Sequence, residues 1–175
     1  MSTILEIPTL RTPRLLLRAF AAGDWDDMAA MHADIAVMEW LGGATRTRHE
    51  VWALMERHIG QWGLLGYGMF AVEVDGRFAG RVGLLHPAEW PEAELAWGLI
   101  PSFWGRGLAT EAAIAVRDWA FSRYDWPRLV SFILPANTRS RRVAEKLGAG
   151  LDGTIELRGF VADRWVHRRG ASGGR

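Results

Sequence analysis

Residues 103–112 read FWGRGLATEA. Gly105 and Gly107 flank Arg106, and an apolar helical pattern starts directly behind them. The start of a helix has N–H groups without intrahelical partners and a partial positive charge, which together suit an anion. Glycine also removes the Cβ that would hold a phosphate off the backbone. The amides of Arg106, Gly107, Leu108, Ala109 and Thr110 are therefore candidate phosphate donors. On local sequence alone a plain tight turn explains the stretch equally well. A Walker loop does not, because no Gly-Lys-Ser/Thr ending follows.

Two further places have chemistry-bearing residues. In EAELAWGLI, read as a strand, Glu94, Ala96, Gly98 and Ile100 share one face, and Ala93, Leu95, Trp97 and Leu99 share the other. The first face offers an acid beside two very small residues, which leaves room for a ligand against the sheet. A partly desolvated carboxylate there suits a general base; an acid at the strand's wet end fits the letters too. Glu89 and Glu92 lie nearer the preceding loop and are weaker candidates. In NTRSRRVAEKLG, Asn137 caps a helix and Ser140 sits in its first turn, either back-bonding or facing a cleft. No metal site is expected: the five histidines are scattered and there is no cysteine. GASGG near the end matches G-x-S-x-G in form but has no helix behind it.

Composition narrows the classes. The 175 residues carry a net charge of +1, too balanced to announce nucleic acid, and the ten tryptophans are scattered rather than set as a stacking platform. The absence of cysteine excludes disulfides, thiolate zinc and a cysteine nucleophile. No apolar run is long enough to span a membrane, and the first ten residues do not read as a signal peptide. A cytoplasmic protein is the expectation.

The elements that must position these residues follow from pattern and punctuation. RLLLR (14–18) reads as a strand, followed by an amphipathic stretch that Asp24 caps and Gly42-Gly43 ends. A second helix runs from about Thr47 to Trp62, with Val51, Leu54, Met55, His58 and Ile59 on one face. YGMFAVEV and RFAGRVGLLH form a hairpin about Asp75-Gly76, and EAELAWGLI is the third antiparallel strand. A helix spans Gly107 to about Ser122, then RLVSFIL is a strand buried on both faces. The Asn137 helix stops at Gly148. Two strands, 151–158 and 160–168, turn at Gly159. One mixed α/β domain over 1–169 results, with a disordered tail at 170–175.

TLRTPRLLLRAF, AELAWGLIPSFWGRGLATEA and NTRSRRVAEKLG, in that order and separation, resemble the GCN5-related N-acetyltransferase (GNAT) superfamily, more narrowly its RimJ/RimL branch of ribosomal-protein N-terminal acetyltransferases. The resemblance implies a central, mixed but mostly antiparallel sheet of about seven strands. Helices cover both faces, and the sheet splays in its middle for acetyl-coenzyme A. It implies that the amides of residues 106–110 wrap the pyrophosphate and that Trp97 to Ile100 pairs with pantetheine. It makes the Leu99 amide an oxyanion donor and Asn137 a cofactor-side residue, and offers Arg141 (or Arg142 or Lys146) to the 3′-phosphate. Glu94 becomes the general base. Many relatives place a tyrosine seven residues after the asparagine as acid; here that position is Ala144, and Ser140 is the substitute.

The implied activity is direct acetyl transfer from acetyl-coenzyme A to a primary amine, on a protein N-terminus or a small molecule. The alternative is a non-catalytic acyl-coenzyme A sensor module, and a nucleotide-dependent oxidoreductase ranks behind both. The acceptor stays open. A homodimer is an expectation from resemblance alone, and no nucleic acid or membrane partner is expected.

Overall fold

Turn residues and strand alternation lay down one twisted sheet. In the computed structural model, which describes residues 5–170, the strands are β1 (Leu10–Arg11), β2 (Leu16–Arg18), β3 (Met69–Val74), β4 (Arg77–Leu85), β5 (Glu94–Leu99), β6 (Arg128–Ile133), β7 (Gly150–Leu157) and β8 (Phe160–Arg168). Their order is β1-β2-β3-β4-β5-β6-β8-β7. The count is eight rather than about seven because Thr12 to Arg14 turn the chain back and let Leu10–Arg11 pair with β2. Asp75 and Gly76 both take positive φ, 50° and 74°, as the β3–β4 hairpin turn requires. Arg158 and Gly159 do the same between β7 and β8, with φ of 46° and 83°. The tail expected to be disordered lies outside the described residues except for Gly170.

All neighbours are antiparallel except β5 and β6. Those two are parallel and share a single register pair, Glu94 with Val130. By contrast β4 and β5 stay paired from Leu85–Glu94 to Gly80–Leu99. The sheet therefore forks just beyond Glu94.

Helices α1 (Trp25–Ala33), α2 (Ile35–Met38) and α3 (Arg48–Leu65) cover one face, and α4 (Leu108–Arg123) and α5 (Thr138–Lys146) the other. Met28, Met31, Val51, Leu54 and Met55 close over Met69 and Ala71 on the first face. Leu108, Ala112, Val116 and Ala120 of α4 lie on Phe70, Val82, Leu84 and Leu95 on the second. Burying side chains of this size is worth about 1.5–3 kcal/mol each, so both faces are tied firmly to the sheet. Thr47 caps α3 through a reciprocal box with Glu50.

The helix expected from Asp24 onward is broken. Asp34 ends α1 in extended conformation, and its carboxylate accepts from the Ala36 N–H at 2.9 Å to start α2. Asp24 holds the expected N-cap position of α1, but its side chain makes no cap hydrogen bond. Its buried carboxylate accepts from Arg18 Nη1 and Nη2, both at 2.8 Å, and from the Ala21 N–H at 2.8 Å. A bidentate guanidinium outcompetes a single amide for that carboxylate.

Candidate active site

The glycine stretch is a loop wrapped around a bare helix start. Gly105 and Gly107 have φ of 74° and 75°, a region costly for any residue with a Cβ. Gly107 is the N-cap of α4, and no side chain caps it. The first helical bond runs from the Glu111 N–H to the Gly107 carbonyl at 3.1 Å. The N–H groups of Leu108, Ala109 and Thr110 precede it and have no helical acceptor. Arg14, an unsuspected residue, braces the loop from β2's side. Its Nη1 donates to the Arg106 carbonyl at 2.9 Å and its Nε to Glu111 at 2.6 Å; Thr12 donates to the same carboxylate at 2.6 Å. The Arg106 guanidinium lies exposed, 5.6 Å from the Phe103 ring.

Beside the cradle lies an open backbone edge. The Ile100 N–H bonds the Ala79 carbonyl of β4, whereas the Val130 N–H of β6 bonds Ala93. By strand alternation the polar groups of Leu95, Trp97 and Leu99 thus face β6. After the fork β6 is too far to take them. Two side chains satisfy part of the edge: the Ser131 hydroxyl donates to the Leu95 carbonyl at 2.6 Å, and the Trp104 indole to the Leu99 carbonyl at 2.7 Å. Ser131 spends its proton there, so His167 Nε2–H donates to its oxygen at 2.9 Å. The N–H groups of Trp97 and Leu99 and the Trp97 carbonyl remain for an extended partner. Such a partner adds to the sheet as a strand would.

Glu94 stands where the fork opens. The residue is 8 % exposed, and its carboxylate accepts from the Trp90 indole at 2.8 Å. Desolvation pushes its carboxyl up from the usual 4.5 to about 7; the Trp90 and Phe132 hydrogen bonds and the Arg81 charge only partly oppose this. A group balanced there exchanges a proton readily at neutral pH. The two weaker acids are committed elsewhere. Glu92 pairs with Arg128 at 2.7 Å and with Arg164, and Glu89 is exposed beside Arg158.

The first turn of α5 completes the site. Asn137 is buried and accepts the Ser140 N–H at 3.0 Å, the expected cap. The Ser140 hydroxyl accepts the Trp97 indole N–H at 3.2 Å, which leaves its own proton free to donate. A cavity of about 150 Å³ between the end of α2 and the start of α5 is lined by Trp40, Asn137 and Arg139. Trp40 is the tryptophan on this cavity. Trp62 is core, and Trp25 and Trp52 pack edge to face on each other. Arg141 turns from the loop toward the Pro135 carbonyl and Asp163. Arg139, missed in the sequence, lies over the Trp104 ring at 4.6 Å, on the loop side.

A bare helix start, a forked parallel pair and a buried acid at the fork define an acyl-transfer fold. Residues 14–150 match the family described as the acetyltransferase (GNAT) domain, and the chain belongs to that family. It is an N-acetyltransferase. It is 25% identical over 146 residues to YnaD, an uncharacterised N-acetyltransferase of Bacillus subtilis, with 82% of this chain and 84% of that one covered. The crystal structure of an acetyltransferase from Agrobacterium tumefaciens is 32% identical, with a TM-score of 0.86 and coverage of 97% and 99%. RimL, a ribosomal L7/L12 α-N-protein acetyltransferase solved with coenzyme A, shares the fold at 19% identity and a TM-score of 0.78, covering 92% of this chain and 98% of its own.

Proposed function

We propose that the protein transfers acetyl from acetyl-coenzyme A directly to a primary amine, with both substrates bound together. The observation that carries this is the fork: it sets an open backbone edge between an uncapped helix start and a buried carboxylate balanced near pH 7. The amides of residues 106–110 take the pyrophosphate. Pantetheine runs along Trp97 to Leu99, against the groups that β6 leaves unpaired; Ile100, expected on the same edge, gives its N–H to the Ala79 carbonyl of β4 instead. Asn137 lines the other side of pantetheine, and Arg106 and Arg139, on the loop side, serve the phosphates, while Arg141 is held toward Pro135 and Asp163.

The chemistry follows from the placement. An ammonium has no lone pair, so Glu94 takes its proton, directly or through water. The amine then attacks the thioester carbon, and the Leu99 N–H steadies the oxygen as it becomes anionic. The carbon–sulfur bond breaks, and the thiolate receives a proton from Ser140 or water. The chain has no cysteine, so no acyl-cysteine intermediate intervenes.

Thiol release tests the reading cleanly in a protein without thiols. Glu94→Gln is expected to lower turnover by about 10²–10⁴ with little change in acetyl-coenzyme A affinity. Undiminished turnover removes Glu94 as the base. Tight cofactor binding with no turnover across peptides and small amines would instead mark a sensor module.

A further inference from the structure

We propose that the acceptor carries an oxyanion, a carboxylate or a phosphate, beside its amine, and that Arg81 receives it. The inference rests on the acetyl-transfer reading and names the substrate class for that site. Arg81 lies in the middle of β4, opposite Gly98 of β5 and Ala71 of β3. Alternation puts it on the same face of the sheet as Glu94, under α1 and α3. It is 8 % exposed, and its Nε is buried without a partner among the described residues. Glu94 is the carboxylate whose charge reaches it, and no side-chain hydrogen bond joins the two.

Two other buried polar atoms lack partners among the described residues, one on each of the helices α1 and α3 that cover this face. His32 of α1 donates Nδ1–H to the Met28 carbonyl at 2.9 Å, so its buried Nε2 holds a lone pair with no donor among the described residues. His58 of α3 stacks on Phe20 at 5.5 Å, and its Nε2 is also buried and unpartnered. The Arg81 charge acts on both rings, and Arg46 and Arg57 add to the same field.

A water molecule would satisfy the hydrogen bonds of such a trio but would add no charge, and Glu94, pushed up to about 7 and not hydrogen-bonded to Arg81, offsets the guanidinium only in part. Removing a guanidinium from water without a paired anion is costly, and an apolar side chain would pack there more cheaply. An anion answers both demands. The positive charge of Arg81 also opposes a polycationic acceptor.

The test uses matched acceptors. Thiol release is measured with the common amino acids against their carboxamides, and with phosphoethanolamine against ethanolamine. Melting shifts with sodium acetate and with inorganic phosphate are read on protein saturated with coenzyme A, so that the cradle is already filled. The expected result is at least a tenfold preference in kcat/KM for the charged member of one pair. That preference falls to about one in Arg81→Met, and the matching anion's melting shift is lost with it. The responsive pair tells carboxylate from phosphate. Equal use of charged and uncharged members, or an anion shift that persists in Arg81→Met, overturns the inference and leaves acetyl transfer standing. An anion shift lost in Arg81→Met with no acceptor turned over keeps the anion site and overturns catalysis.

Discussion

Glu94 shows how one residue's surroundings set its chemistry. The same carboxylate at an exposed strand end would be ionised throughout the working range; buried under Trp90 it holds its proton up to about pH 7. The pH profile of kcat/KM is therefore expected to have an acid limb near 7 that Glu94→Gln removes. Burial also costs stability, with a definite sign. Between about pH 4.5 and 7 the unfolded chain releases a proton that the folded chain keeps. Stability thus falls as pH rises through that window, and the loss is complete above it. The melting temperature of Glu94→Gln relative to the parent is expected to rise across the same interval. A difference that stays flat with pH contradicts the burial argument.

At the scale of elements, the fork and the cradle depend on parts of different legibility. The glycine loop, the β3–β4 hairpin and the α5 cap were readable because each is a local pattern: Gly-x-Gly before a helical run, Asp-Gly between alternating strands, Asn ahead of a helix. Ser131 was passed over, although a lone hydroxyl inside RLVSFIL was a visible signal. Its partners Leu95 and His167 each lie 36 residues away, so only tertiary pairing reveals its role. Arg14 and Glu111, 97 residues apart, were hidden for the same reason. The break at Asp34 was missed because the apolar period continues across it while the backbone does not. Ser131→Ala strands a buried acceptor and a buried donor, and is expected to cost about 1–3 kcal/mol, a few degrees in melting temperature. Ser131→Thr, which keeps the hydroxyl, is expected to recover most of that. Two glycine substitutions of identical chemistry are expected to differ in sign. Gly107→Ala forces a Cβ to φ of 75° and is expected to lose about 1–2 kcal/mol and to weaken coenzyme A binding. Gly60→Ala, within α3 and with nothing within 4 Å of the added carbon, is expected to gain about 0.4–1 kcal/mol. Melting curves and coenzyme A titrations check both.

For the whole molecule, the two faces of the sheet divide the work. In the proposed reaction the α4–α5 face would supply bare amides, Asn137 and Ser140, and the α1–α3 face Glu94, Arg81 and the acceptor's surroundings. The fork between β5 and β6 is where the halves communicate, so occupation of one side should stabilise the fold that builds the other. Coenzyme A at about 100 times its dissociation constant is expected to add about 2.7 kcal/mol, seen as a raised melting temperature, while NAD(P) adds nothing. The most direct measurement is a crystal structure of the protein with coenzyme A. The account predicts the pyrophosphate within hydrogen-bond distance of the amides of residues 106–110, pantetheine paired with Trp97 and Leu99, and the thiol near Glu94 and Ser140. Coenzyme A bound elsewhere, or lying along the fork with its phosphates away from the start of α4, would contradict it.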